Sequence, residues 1–225
     1  DAFTLSHTTM PVDTPEQEEL DKWLGPRRQG YVIDGSEPLA LGNLAWPEDS
    51  EEFFMDLQRG MEEAKKVIRE VDESYGKAFG RKYGGLIYRY HCEDAKYHVV
   101  AMGAWSGDLM EAVDILREEG YPIGLIRMRF IRPFPDEEMY EILNGSKGVM
   151  VFDRAISFGS LGPLYLDVTA NLTKYTRKLP YMRNIVAGVG GVNVTHKDFY
   201  ELVKTTIDDL EKGIEPPVFT WYHRR

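Results

Sequence analysis

From residue 86 onward the sequence alternates between short apolar runs and amphipathic stretches of helical period, and few folds accept that pattern. Strands are predicted at Leu86–His91, His98–Met102, Ile123–Arg129, Gly148–Phe152 and Asn184–Val189. Helices are predicted at Gly107–Glu119, Asp136–Leu143, Leu161–Leu172 and His196–Leu210. Leu109, Ala112, Val113 and Leu116 form the inward face of the first helix, with Ser106 as its N-cap and Gly120 just past its end. Thr195 caps the last helix, with Asp198 three residues on. Repeated units of this length predict an α/β fold: an open, mostly parallel sheet with helices on both faces, joined by right-handed crossovers.

Ahead of this pattern, Phe54, Leu57, Met61, Ala64, Ile68, Val71 and Tyr75 recur three and four residues apart, which is one continuous helical stripe over 50–79. Asp49 with Glu52 fits a capping box, and Gly76 and Gly80 are the predicted stops. The stripe is expected to be a packing face against the rest of the protein. Residues 1–48 are broken by Pro11, Pro15, Pro26, Pro38 and Pro47, and read as irregular apart from a short helix at Pro15–Leu24 behind Thr14. The expected organisation is an irregular linker over 1–48, a long connecting helix over 49–84 and an α/β domain over 85–225.

The formal net charge of -10 disfavours a nucleic-acid partner, because a phosphate backbone would be repelled. The single cysteine, Cys92, forbids an internal disulfide and cannot alone build a cysteine-ligated zinc or iron–sulfur site. It suits a reducing, cytoplasmic setting. No apolar run is long enough for a membrane helix. The first residues, Asp1 to His7, include no initiator methionine, so the expectation is a processed chain or part of a longer polypeptide.

In open parallel sheets, functional loops lie at the carboxyl ends of strands. One such loop is Met102 to Asp108, where Trp105, Ser106, Gly107 and Asp108 read either as a ligand or subunit contact or as an ordinary capped strand-to-helix turn. Asp108 in the first helical turn would oppose a phosphate. A second is Phe152 to Ser160. There Asp153 and Arg154 either anchor a ligand or a neighbouring subunit, or fix their own loop. The third, Gly188-Val189-Gly190-Gly191, lacks the dinucleotide spacing and reads as a turn. The five histidines show no metal-ligand spacing, and no nucleophile elbow or phosphate loop is present. No metal site and no catalytic residue is expected in this chain, and a partner domain fits it better than a stand-alone enzyme.

Several tracts carry a resemblance. In order they are Arg81-Lys82-Tyr83-Gly84, Tyr90-His91-Cys92-Glu93-Asp94-Ala95, Met102-Gly103 through Glu111-Ala112-Val113-Asp114, Leu116 through Arg127, Arg132-Pro133-Phe134-Pro135, Asp153-Arg154 and Ser157-Phe158-Gly159. This run resembles the second, transketolase C-terminal-like domain of 2-oxoacid:ferredoxin oxidoreductase α subunits of the pyruvate synthase type. Asp1 to His7 resembles the tract that ends the family's first domain, with Ala2 in place of a glycine. The resemblance implies a thiamine-pyrophosphate enzyme of anaerobic metabolism. Such an enzyme cleaves a 2-oxoacid, forms an acyl-CoA from coenzyme A and passes electrons through iron–sulfur clusters to ferredoxin. It also implies that thiamine pyrophosphate, Mg2+ and the clusters are held elsewhere in the complex, by the α subunit's first domain and by the β, γ and δ subunits. The implied role of this segment is packing and cavity shaping. Trp105 and Asp108 stand where typical members have small residues, which leaves the substrate open among pyruvate and other 2-oxoacids, oxalate included. Two other readings of the same pattern are the C-terminal domain of a transketolase or E1β-like thiamine enzyme, which the long helix and the Arg-Lys-Tyr-Gly tract disfavour, and a non-catalytic module that binds a partner through the 50–79 stripe.

Overall fold

A computed structural model of the chain describes residues 9, 11–26, 30, 35–36, 42 and 44–223. The Asp1–His7 tract and much of the expected irregular lead-in therefore lie outside the described residues. The chain divides into two compact units, Thr8–Gly85 and one built on Leu86–Arg225.

The first unit holds helix α1, Gln17–Leu24, and the 33-residue helix α2, Pro47–Phe79. Glu16 is extended (φ -65°, ψ 146°), so α1 begins two residues later than Pro15. Helix α2 begins earlier than position 50, because Pro47 at its first position is already set to a helical φ. Asp49 then accepts from the Trp46 amide at 3.3 Å, so the cap pairs Trp46 with Asp49 and not Asp49 with Glu52. Trp23 of α1 packs edge-on to Tyr75 and Phe79 near the carboxyl end of α2, with ring centroids at 5.4 and 5.8 Å. The expected packing stripe is covered only in part. Ala64, Ile68 and Tyr75 are half-buried, whereas Phe54 is 73% exposed and Leu57 58%.

The second unit is a six-stranded sheet with β1 at Ile87–Tyr90, β2 at Tyr97–Met102, β3 at Ile123–Met128, β4 at Gly148–Asp153, β5 at Tyr181–Val186 and β6 at Phe219–Trp221. The strand order is β1-β3-β2-β4-β5-β6. All pairs are parallel except β1 with β3, which is antiparallel. The expected α/β class with an open, mostly parallel sheet is present. The edge strand β6 is an addition; its three residues are too short to show a strand period.

The helices are α3 (Trp105–Glu118), α4 (Asp136–Leu143), α5 (Pro163–Leu172) and α6 (His196–Glu211). Alternate strand residues serve opposite faces, as the two-residue period of a strand requires. Val99, Leu125, Met150 and Ile185 meet α3 and α6 through Leu109, Leu116, Phe199 and Val203. Val100, Ile126, Val149 and Val151 meet α4 and α5 through Met139, Leu143, Leu164 and Val168. This two-sided burial explains why β2 and β4 read as near-continuous apolar runs.

The uniform right-handedness expected of the crossovers does not hold. Units β4–α5–β5 and β5–α6–β6 step in the same direction along the sheet, yet their helices lie on opposite faces, so they have opposite hands. Packing supplies the reason. On α3's side one helix would be left to cover the whole sheet, and α6 completes that layer by packing against α3.

Local bonding fixes the remaining boundaries. Arg117 of α3 donates to the carbonyls of Ile123 (2.6 Å) and His91 (2.6 Å) and to both oxygens of Asp94, which ties the β1–β2 connection to the start of β3. The predicted Thr195–Asp198 cap is present, with the Thr195 amide and hydroxyl both donating to the Asp198 carboxylate. His98 of β2 is buried, with Nδ1 at 2.8 Å from the Ser146 hydroxyl, and burial pulls its imidazole down to about 4.

Two outcomes follow from this core. Phe199 is fully buried and meets Trp105 and Phe152 edge-on at 5.2 and 5.1 Å. Phe199→Ala should cost about 3–5 kcal/mol in urea unfolding. Unfolded His98 binds a proton at 6.5 and folded His98 only near 4, so the stability lost to charging this buried ring is nil above 6.5 and grows as pH falls through that window. The loss is on the order of 3 kcal/mol. Unfolding curves between pH 4 and 7 should flatten in His98→Asn.

Candidate functional site

A crevice opens in such sheets where neighbouring strands send their following helices to opposite faces. Here β2, which leads to α3, and β4, which leads to α5, form such a pair, as do β3 with β2 and β4 with β5. The loops after β2, β4 and β5 border a cleft of about 1130 Å³. Trp105, Asp108, Asp153 and Arg154 line it, with Gly188, Gly190, Gly191 and Asn193 on the far wall.

The loop after β2 turns at Gly103 (φ 74°) and enters α3 at Trp105, two residues before the predicted start. Ser106 is consequently inside the first helical turn and not at its cap. It is fully buried, and its hydroxyl makes no hydrogen bond among the described residues. Gly107 is exposed, and its amide donates to the Ala104 carbonyl at 2.9 Å. Trp105 is a core residue at 7% exposure, edge-on to Phe199. Its indole lies so close to Gly188 that a Cβ there would stand 2.5 Å from the ring. Asp108 is half-buried at the cleft wall. Burial raises its carboxyl, His196 lowers it and Glu111 raises it further.

The loop after β4 separates the Asp–Arg pair. Asp153 is buried, and its carboxylate accepts from the amides of Leu164 (2.8 Å) and Tyr165 (3.1 Å) at the start of α5. Asn184 of β5 donates to it at 2.9 Å, and the Asn184 side-chain oxygen accepts from the Gly162 amide at 2.8 Å. A Cβ at position 162 would meet that carboxylate at 2.1 Å, so the chain passes there only as glycine. Desolvation by burial raises the Asp153 carboxyl, while the two amides and Asn184 pull it down. These bonds fix the start of α5 and tie it to β5. Arg154 faces the cleft. Its guanidinium lies 5.4 Å from the Trp105 ring centroid, and Nε donates to the Gly188 carbonyl at 3.3 Å.

The structure thus gathers Trp105, Asp108 and Arg154 at one opening, puts Ser106 beneath it and spends Asp153 on a helix cap. The wall at 188–191 was not singled out as a site; its glycines read as a turn, and a turn it is, with Gly188, Gly190 and Gly191 at positive φ. Asn184 gave no signal, because it sits within an apolar strand and acts through a carboxylate far away in sequence. Among the described residues no group of three or more His, Cys, Asp or Glu is arranged to hold a metal. Cys92 is single and half-buried, and its thiol is held up to about 11, chiefly by burial. A single cysteine cannot supply the thiolate ligands of an iron–sulfur cluster.

Removing the Asp153 carboxylate leaves two buried amides unpaired and takes one hydrogen bond from the Asn184 carboxamide, so Asp153→Ala should lose about 2–4 kcal/mol in chemical denaturation. At Gly188, with φ 61° and the indole against it, Gly188→Ala should cost about 1–3 kcal/mol by the same measurement.

Residues 95–199 match the family model for pyruvate:ferredoxin oxidoreductase core domain II. The chain is 40% identical to the ketoisovalerate oxidoreductase subunit VorA of Pyrococcus horikoshii, over 99% of this chain and 56% of that protein. To the pyruvate synthase subunit PorA of Pyrococcus abyssi it is 38% identical, over 97% of this chain and 55% of that protein. To the Thermotoga maritima PorA it is 36% identical, over 86% and 49%. The chain spans about half the length of the curated relatives it matches. It belongs to the 2-oxoacid:ferredoxin oxidoreductase family, in the part of the α subunit that contains core domain II.

Proposed function

We propose that this chain is the carboxyl-side part of the α subunit of a thiamine-pyrophosphate-dependent 2-oxoacid:ferredoxin oxidoreductase. The observation that supports this most is identity to subunits of such enzymes along nearly the whole chain. The reaction is the oxidative cleavage of a 2-oxoacid with coenzyme A, with electrons delivered to ferredoxin. Pyruvate and ketoisovalerate are the acids named by the relatives. Thiamine pyrophosphate, Mg2+ and iron–sulfur clusters are assigned by this reading to other parts of the complex; for the clusters, the single cysteine of this chain supports that. This domain contributes a rigid two-faced sheet whose loops are available for packing against other subunits. No helix of the described residues is long and apolar enough to cross a membrane.

The test is co-expression of the complete polypeptide that carries these residues with its β, γ and δ partners under anaerobic conditions. A brown complex should co-purify and reduce ferredoxin with pyruvate, ketoisovalerate, 2-oxoglutarate or oxalate, dependent on thiamine pyrophosphate. A colourless preparation, inactive on all four acids, would remove the proposal.

A further inference from the structure

Phe53, Phe54, Leu57 and Met61 of α2 are all exposed. At 3.6 residues per turn, Phe54, Leu57 and Met61 lie one above another, three and four apart, with Phe53 beside them. Single apolar residues on a surface need no explanation. Four on adjacent turns, two of them phenylalanines, make a contiguous patch of the kind that marks an interaction surface. Trp23 packs only on Tyr75 and Phe79, at the other end of the helix.

The rim of the patch says what covers it. Asp49, Asp56 and Glu63 recur every seven residues, which sets them in a row along one flank. Glu51 and Glu62 stand along the other flank, and Glu62 also pairs with Lys65. Residues 47–63 include seven acids and a single basic residue, Arg59, which is paired with Asp56. An apolar strip with carboxylates on both sides is complementary to an apolar groove edged by Lys and Arg. A second copy of this chain is a poor match, because it has a formal net charge of -10 and would bring an equally acidic strip. Anchors at 54, 57 and 61 have the spacing by which an amphipathic helix lies in a groove.

We propose that the amino half of α2 docks in an apolar groove edged by Lys and Arg on another subunit of the oxidoreductase complex. The choice of partner rests on the oxidoreductase reading, and the tests below separate the two.

Hydroxyl-radical footprinting of the complete polypeptide, alone and in the assembled complex, reads the patch through its own side chains. Phe54 and Met61 should oxidise readily in the polypeptide alone and be protected in the complex. Met55, exposed and on the far side of the helix from Leu57, should stay reactive in both. Leu57→Asp, at an exposed position, should leave the melting temperature unchanged and weaken assembly about tenfold or more. Glu51→Lys combined with Glu63→Lys should weaken it too, and added salt should weaken wild-type assembly. A second arm needs no complex. A helical peptide of leucines flanked by lysines should bind the complete polypeptide, and lose that binding in Leu57→Asp; a leucine–glutamate counterpart should not bind.

An active, ferredoxin-reducing complex in which Phe54 and Met61 remain as reactive as before overturns this docking and leaves the oxidoreductase reading intact. Protection already present in the polypeptide alone overturns it in favour of cover by the same chain, or, where Leu57→Asp splits a dimer, by a second copy. If no complex assembles, the oxidoreductase reading loses support and the peptides decide: failure of the lysine peptide to bind, or equal binding of the glutamate peptide, overturns the proposal.

Discussion

One carboxylate at the end of the central strand β4 holds three elements in register. Asp153 takes two amides from the start of α5 and the carboxamide of Asn184 from β5, and Asn184 in turn takes the Gly162 amide. A helix start buried without acceptors would be costly, and here no solvent is available to supply them. The same bonds decide where the next residue goes. With Asp153 turned into the fold, Arg154 emerges at the cleft and settles over Trp105. The candidate site is thus a by-product of how the domain caps its own helix, which gives it a rigid base.

How much of this was readable in sequence depends on whether the signal was local. The α3 face of Leu109, Ala112, Val113 and Leu116 follows from helical period, and all four are fully buried. The Thr195–Asp198 box follows from a three-residue spacing. The start of α3 did not, because Trp105 is drawn into the helix by its contact with Phe199, some ninety positions on, and that shifts Ser106 from cap to core. The hand of the last crossover depends on which sheet face lacked cover, a property of the assembled layers. The cleft had its loops in view but not its wall, since a glycine turn looks the same whether it faces solvent or a neighbouring loop.

The two units contrast in how completely their apolar surface is used. In the sheet domain, alternate residues of β2 to β5 find a helix on either side, and the core positions are essentially dry. On α2 the carboxyl end is closed by Trp23 and the aromatic pair Tyr75 and Phe79, while Phe54 and Leu57 stand open. Period alone cannot separate those two halves, because an amphipathic stripe is the same pattern whether or not its cover is part of the same chain.

The indole of Trp105 and the bare backbone of Gly188 occupy one space, and neither is explicable without the other. Along a set of relatives this makes the two positions a linked pair. Where the residue equivalent to Trp105 is small, the steric limit on its partner is lifted, and only the left-handed backbone still favours glycine. A side chain gained there would enter the space the indole leaves at the cleft wall. The shape of the cleft can therefore diverge between members through a single correlated exchange, with the sheet beneath it unchanged.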